Sequence, residues 1–183
     1  METKERSRLS KFLSLVLRHQ PELIGLELDA HGWTDIDELI AKAAAQRMVY
    51  TRETIRSLVR ESDKQRFALS EDGSRIRANQ GHSVEVDLGY VSSEPPLTLF
   101  HGTAEKNLDS ILEKGLLKGE RHHVHLSAER DTAVQVGQRY GKPVVLVVES
   151  RIMHAQGIPF FQSANGVWLT EHVPARFLRR EPG

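Results

Sequence analysis

The chain has 183 residues, 39% hydrophobic and 27% charged, with 25 basic and 25 acidic side chains and no cysteine. This length suits one large domain or two small ones, and the composition is that of a soluble globular protein without disulfides or thiolate chemistry, as in a reducing cytoplasm. Zero formal charge argues against nonspecific coating of nucleic acid but leaves open a local basic site for one or a few phosphates.

The N-terminus, "METKERSRLSK", is charged and lacks the apolar core of a signal peptide. No apolar run approaches the roughly 20 residues of a membrane span, so a cytoplasmic protein without membrane contact is expected. Residues 5–19 predict an amphipathic helix with Leu9, Phe12, Leu13, Val16 and Leu17 inward. Pro21 stops it and leaves Arg18 and His19 in the last turn. Thr34 or Asp35 caps a second helix that buries Ile36, Leu39, Ile40 and Ala43. A third is capped near Thr51, with Ile55, Leu58 and Val59 inward. "RFALSEDGSRIRANQ" then predicts a hairpin that turns at "EDGS". Three helices followed by a hairpin is the order of a winged helix, a nucleic-acid reader or a protein-interaction module; it would span residues 1–85.

"VDLGYVSSEPP", residues 86–96, has the Gly, Ser and Pro of a linker. Residues 97–183 change texture. "LTLFHGT" is a strand entering a loop, and "AEKNLDSILEKG" a helix ending at Gly115. "HVHLS" is a strand, and "AERDTAVQVGQRYG" a helix closed by Gly141. "PVVLVVES" is a buried strand, and "GIPFFQSANGVWLTEHVP" two strands about a turn at "ANG". The fold class is α+β.

"RHHVHLS", Arg121–Ser127, poses the chemical question. Zinc wants about four N, S or O ligands. On a strand His123 and His125 share one face and His122 the other, so two histidines beside a cation, Arg121, make a poor metal site. No metal is expected. In "FHGT", Gly102 would let a ligand approach the main chain beside His101 and Thr103; the alternative is a plain strand-end turn. Arg18 and His19 either complement the helix dipole or bind a ligand, and Arg66 either is a solvated charge or joins them. Phe100 and Trp168 read as core rather than stacking platforms; Lys42, Arg47 and Arg52 read as solvated helix charges.

The order "HGT", helix, "HVHLS", helix, buried strand, "NGVWLT" resembles the ADP-ribosyltransferase fold, whose split β-sheet grips NAD. That resemblance implies that His101 contacts the NAD ribose, that His125 stacks on the nicotinamide, and that Ser127 is the strand-end serine. Where many of these enzymes carry a glutamate, this chain has Val167, which speaks against ordinary protein ADP-ribosylation.

Seven ordered motifs, "LRHQP", "KQRF", "IRANQGHS", "FHGT", "RHHVHLS", "VGQRYGKPV" and "NGVWLT", extend the likeness over nearly the whole chain. Together they resemble the KptA-type RNA 2′-phosphotransferase family. The resemblance implies a winged-helix RNA-binding lobe and a C-terminal NAD-binding, ADP-ribosyltransferase-like lobe. It implies transfer of an internal RNA 2′-phosphate, as left by tRNA splicing, to NAD through an RNA-2′-phospho-ADP-ribose intermediate. The products would be RNA 2′-OH, nicotinamide and ADP-ribose 1″,2″-cyclic phosphate. The catalytic set falls on Arg18, His19, Arg66 and Arg121. NAD contacts fall on His101, Gly102, Thr103, His125, Ser127 and Arg139, and RNA contacts on Gln80, Gly81 and His82. Tyr140 stands where family members commonly have histidine. A monomer is expected, with NAD consumed as co-substrate. A mono-ADP-ribosyltransferase acting on nucleic-acid phosphate ends or on protein is the alternative, and a binding module that leaves NAD intact is a third reading.

Overall fold

A computed structural model describes residues 3–62 and 64–181. Its elements are helices and short strands in an α+β arrangement. They group into two compact units, Met1–Gly89 and Tyr90–Gly183. Among the described residues no helix is long and apolar enough to cross a membrane.

In the first unit α1 (Thr3–Arg18) begins two residues earlier than its periodicity predicts and ends one residue sooner. The N–H groups of His19 and Gln20 both donate to the Leu15 carbonyl at 2.9 Å, so the helix closes on one four-residue and one wider five-residue turn. Pro21 opens a single 3-10 turn, Pro21–Ile24, which Gly25 closes with φ 64°. β1 (Thr34–Asp35) settles which residue caps α2 (Ile36–Ala44). Thr34 is buried in the strand, and Asp35 accepts the N–H groups of Asp37 (2.8 Å) and Glu38 (3.0 Å). Thr51 caps α3 (Arg52–Arg60) by accepting from the Thr54 N–H at 3.0 Å.

β2 (Phe67–Leu69) and β3 (Arg75–Ala78) form the hairpin, and β1 adds a third strand beyond β3 that the sequence pattern did not announce. At the turn the Asp72 carboxylate accepts the Ser70 hydroxyl and the Ser74 N–H and hydroxyl, which holds its pKa down to about 2. Leu9, Leu13, Val16 and Leu17 meet Ile36, Leu39, Ile55, Leu58, Phe67 and Ile76 in one core. Each such buried side chain contributes about 1.5–3 kcal/mol relative to exposure. Of the charged residues read as solvated, Arg47 is exposed, Arg52 grips Asp37 with two hydrogen bonds of 2.7 and 2.6 Å, and Lys42 pairs with Glu38 at 2.6 Å.

The second unit holds two three-stranded sheets. In one, β7 (Pro143–Val148) lies between β4 (Leu99–Ala104) and β11 (Leu178–Arg180); in the other, β9 (Trp168–Thr170) lies between β6 (Val124–Leu126) and β8 (Phe161–Gln162). All pairings are antiparallel. β5 (Leu116–Leu117) and β10 (His172–Val173) make a further short pair. α6 (Ser150–Ala155) follows β7, and neither it nor β11 has a clear sequence signature.

Two predicted helices differ in extent. The first opens with a 3-10 turn, Glu105–Asn107, before α4 (Leu108–Lys114). α5 (Arg130–Gly137) stops four residues short of Gly141. Residues after it tighten into 3-10-type turns so that Pro143 can start β7 opposite Ala104.

The Gly/Ser/Pro stretch 86–96 is irregular but anchored. The Asp87 N–H donates to the Ala30 carbonyl at 2.7 Å within the first unit. In the second unit the Ser93 N–H donates to the Phe160 carbonyl (2.8 Å), and Ser150 and Arg151 donate to the carbonyls of Pro96 and Pro95. Composition registers the missing periodicity; it does not register these bonds.

α5 lies flush on β4. A Cβ on Gly102 would sit 1.7 Å from the Ala133 carbonyl oxygen, and one on Gly137 2.7 Å from the Thr103 carbonyl oxygen. The missing side chain of Gly102 therefore makes room for a helix. Gly102→Ala is expected to destabilise the second unit by about 3 kcal/mol or more, at or above the upper end of ordinary overpacking. Urea unfolding checks this: an unchanged midpoint would mean that α5 does not need the bare backbone at that position.

Candidate functional site

In the first unit the end of α1 gathers residues distant in sequence. Arg18 donates from Nη2 to the Arg66 carbonyl at 3.3 Å, and its guanidinium lies 5.9 Å from the Phe67 ring centre. The same Arg66 carbonyl takes the Asn79 N–H at 3.0 Å. The Arg18 carbonyl, left over at the helix end, accepts the N–H groups of Ser83 (2.9 Å) and Val84 (3.3 Å). His19 Nδ1 lies 2.9 Å from the Ser83 hydroxyl.

Arg18, His19 and Arg66 therefore share one neighbourhood with the segment 79–84. Just before Arg66, Gln65 has φ 38°, and its carbonyl takes the Asn79 side-chain amide. A non-glycine residue held there costs of order 1–3 kcal/mol and persists only where its surroundings enforce it. Gly81 also has positive φ, at 85°. Gln80 and Gly81 are half-buried, whereas His82 is only 2% exposed. The His82 ring packs towards Gly32, where a Cβ would come within 3.4 Å of its Nε2.

The second unit brings together His101, Arg121 and His125. His101 Nδ1 lies 3.1 Å from the His125 carbonyl. A carbonyl only accepts, so Nδ1 carries the proton, and in the neutral ring Nε2 is an acceptor. Burial pushes the His101 pKa down and Arg121 adds to this, while the His125 carbonyl acts the other way. Arg121 is exposed; its Nη1 donates to His125 Nδ1 at 3.3 Å, which fixes the opposite tautomer on that ring.

The remaining predicted residues have structural partners or stand apart. The Ser127 hydroxyl donates to the Glu129 carbonyl (2.9 Å) and accepts its N–H (3.1 Å). Thr103 is buried and accepts from the Asn107 amide at 3.3 Å. Arg139 is exposed in the turn after α5, as is Tyr140. β6 starts only at Val124, so His123 lies in the preceding bend instead of sharing a strand face with His125. Its ring meets the edges of Tyr90 and Phe161, with centres 6.1 and 5.6 Å apart, and burial lowers its pKa. His122 is half-buried, Trp168 is buried and Phe100 half-buried. Among the described residues no three His, Asp or Glu side chains converge as a metal site requires.

Sequence reasoning missed Ser83, Asn79 and Gln65. Ser83 and Asn79 lie inside a motif already singled out, but their partners are 64 and 14 residues away, and no spacing rule reports such contacts. The positive φ of Gln65 has no compositional signal.

Comparison with known proteins adds identity to this geometry. A family model described as "RNA 2′-phosphotransferase, Tpt1 / KptA family" matches residues 4–172. The chain is 57% identical over 180 residues to a "Probable RNA 2′-phosphotransferase" of Pseudomonas aeruginosa (strain UCBPP-PA14), covering 98% of this chain and 99% of the relative. It is 59% identical over 169 residues to the protein of that name from Agrobacterium fabrum (strain C58), covering 92% and 91%. With that of Acaryochloris marina (strain MBIC 11017) the identity is 54% over 169 residues, covering 92% and 93%.

Nitrogen-detected NMR of the histidine rings is expected to find His101 as the Nδ1–H tautomer, titrating below the ordinary 6.5. Arg121→Ala should raise that midpoint only partway, because burial is the larger cause. The unfolded chain takes the proton at the ordinary value and the folded chain only at lower pH. His101 therefore costs the second unit stability as pH falls from 6.5 through the folded midpoint, and the loss reverses as pH rises. A midpoint at or above the ordinary value would sink the burial argument.

Proposed function

We propose, because the chain belongs to the RNA 2′-phosphotransferase, Tpt1 / KptA family, that it transfers an internal RNA 2′-phosphate to NAD, consumed as co-substrate. The observation that carries this reading is the convergence of Arg18, His19 and Arg66 in a chain that the family matches from residue 4 to 172. In this reading the first unit, three helices and a hairpin, is a winged-helix RNA-binding lobe. The second, with two antiparallel sheets, is an ADP-ribosyltransferase-like, NAD-binding lobe. The protein acts as a cytoplasmic monomer.

A 2′-phosphomonoester carries close to two negative charges at neutral pH, and the planar arginine fork suits it. The reading assigns Arg18, Arg66 and Arg121 to that phosphate. Three arginines exceed what one dianion needs at rest and suit a phosphorus that becomes pentacoordinate. The phosphate is its own nucleophile: an oxygen attacks C1″ of the NAD ribose, and nicotinamide leaves with the bonding pair, helped by its positive charge. No general base is required, in keeping with Val167 where a glutamate might be sought. The ribose 2″-hydroxyl then attacks phosphorus, and the RNA 2′-oxygen leaves and takes a proton. RNA 2′-OH and ADP-ribose 1″,2″-cyclic phosphate result.

His19 is assigned to move that proton, since imidazole titrates near neutrality. The arginines stabilise the charge that develops. The chain's residues fit NAD: neutral His101 offers Nε2 as an acceptor to a ribose hydroxyl, and His125, oriented by Arg121, presents a flat ring for the nicotinamide. Ser127, Thr103 and Gly102 shape the strands that carry those rings, and Arg139 is assigned to the NAD diphosphate. Gln80 and Gly81 are assigned to RNA contact, with His82 supporting their loop from the interior.

A labelled 2′-phosphorylated oligonucleotide incubated with NAD tests the reading. Loss of the 2′-phosphate with release of nicotinamide is expected, and no turnover would overturn it. With arginines supplying the positive charge, turnover should continue in excess chelator; loss restored by a divalent cation would refute that division of labour.

His19→Ala, Arg66→Ala and Arg121→Ala should slow the second step more than the first, so that RNA-2′-phospho-ADP-ribose accumulates. For His19→Ala the cost should be about 10²–10⁴-fold, that of a missing positioned acid. Arg18→Ala should slow both steps if it holds the ground-state phosphate. If His19→Ala completes the second step at the wild-type rate, it is not the proton carrier.

A further inference from the structure

Of the motif "IRANQGHS", the proposed reaction uses Gln80, Gly81 and His82 and leaves Arg77 without a role. Ile76 and Ala78 on either side of Arg77 are buried, so strand alternation turns it to the outer face of the first unit's sheet. Ala68 of β2 stands opposite it. On the other side Thr34 pairs with Ile76, and one step further in that register Trp33 faces Arg77. The Arg77 guanidinium lies over the Trp33 ring, 4.7 Å from its centre. Trp33, Arg77 and Ala68 thus form a row of an aromatic, a cation and a small side chain across the sheet.

The row is rigidly built. Asp29 Oδ1 accepts the N–H groups of His31 and Trp33, both at 2.9 Å, and the Asp29 N–H donates to the Trp33 carbonyl at 2.9 Å. Arg75, also outward on β3, pairs with the same carboxylate. These bonds fix the turn that carries the indole. Arg77 has no such partner. Among the described residues no hydrogen bond or ion pair engages its guanidinium, and its Nε is buried. Of the acids beside the row, Asp29 is held by Arg75, and Asp35 by the N–H groups at the start of α2.

Stacking on an indole occupies one face of a guanidinium and leaves the N–H groups at its edge. Two such donors match two oxygens of a phosphate. Arg77 is therefore a cation held flat for an anion that the chain itself does not supply. It also lies close to residues already assigned: two residues on, about 7 Å along the strand, the Asn79 N–H donates to the Arg66 carbonyl at 3.0 Å. We propose that Arg77, held flat by Trp33, binds a backbone phosphodiester of the RNA strand beside the 2′-phosphate, without reading its bases. The proposal rests on the RNA 2′-phosphotransferase reading and extends it to a residue which that reading leaves out.

Two measurements on the full chain test this. In the first, wild type is titrated with a short single-stranded RNA that lacks a 2′-phosphate, and NMR follows the Arg77 Nε–H and the Trp33 indole N–H. Both signals should shift. If neither moves up to the highest RNA concentration, the contact is overturned. In the second, fluorescence anisotropy compares RNA binding by wild type, Arg77→Gln and Arg77→Lys. Arg77→Gln should weaken binding about 3- to 10-fold and lower the log–log salt slope by about 0.7, the value for one phosphate on a single strand. Arg77→Lys keeps the charge and should keep the slope, but it should lose part of the affinity with the planar fork. Changing the bases should leave these ratios as they are.

A residue that only braced the sheet through Trp33 would lower the urea midpoint on substitution and leave the salt slope alone, and that result overturns the phosphate contact. Should Arg77→Gln fail to fold, the NMR titration of wild type decides. Nicotinamide release separates the two readings. If wild type releases none with any 2′-phosphorylated RNA, the reaction assignment fails, and the Arg77 contact still stands or falls on binding alone. If wild type turns over and Arg77→Gln binds RNA with the wild-type slope, the contact fails and the reaction stands.

Discussion

Two backbone hydrogen bonds between Phe100 and Ser127, each 2.8 Å, hold the second unit's chemistry in register. They stitch the start of β4 to the end of β6, strands of different sheets. One residue along from Phe100 is His101; two residues before Ser127 is His125. The bridge thus brings the His101 ring to the His125 carbonyl, and that contact decides which nitrogen carries the proton. Arg121, reaching back to His125, decides the other tautomer. Backing the arrangement, α5 presses on β4 where Gly102 and Gly137 leave no side chain between backbones. A ring at a strand end would sample several rotamers; here backbone pairing on one side and close helix packing on the other hold it in place.

The first unit solves a similar problem with a helix end. The last carbonyls of any helix lack intrahelical partners. Here one of them, on Arg18, accepts two N–H groups from the segment after β3, and the Arg66 carbonyl binds both the Arg18 side chain and Asn79. The Arg18 guanidinium is thereby held at the backbone of Arg66, in the segment that leads into β2. The backbone that holds it includes the left-handed Gln65, so part of the folding energy is stored where the chemistry is assigned.

Much of the architecture was legible from local pattern. The apolar spacing of Leu9, Leu13, Val16 and Leu17 announced α1 and its buried face. Thr51 and Asp72 announced a cap and a turn through hydrogen bonds that span only two or three residues. Elements of two or three residues, such as β1, β5 and β10, were not legible, because their pairing energy comes from partners far along the chain and leaves no period to read. The end of α5 was misplaced for a related reason: Gly141 resembles a helix stop, but the helix yields earlier to the start of β7. His123 was grouped with His125 by strand alternation, and the strand begins one residue too late for that.

The sequence by itself determined the α+β class, the three helices and hairpin of the first unit, and the list of residues with the right chemistry, through ordered motifs that carry the family likeness. The side chains that its motifs offer to a phosphate are arginine and imidazole. The tertiary structure alone decided that Gly102 serves helix packing, that His82 faces the interior, and that Ser83 touches His19. It alone decided the protonation pattern of His101. The physical reason is range: periodicity and capping act within a few residues and are written in local order, whereas burial and tautomer are set by groups that meet only once the chain has folded.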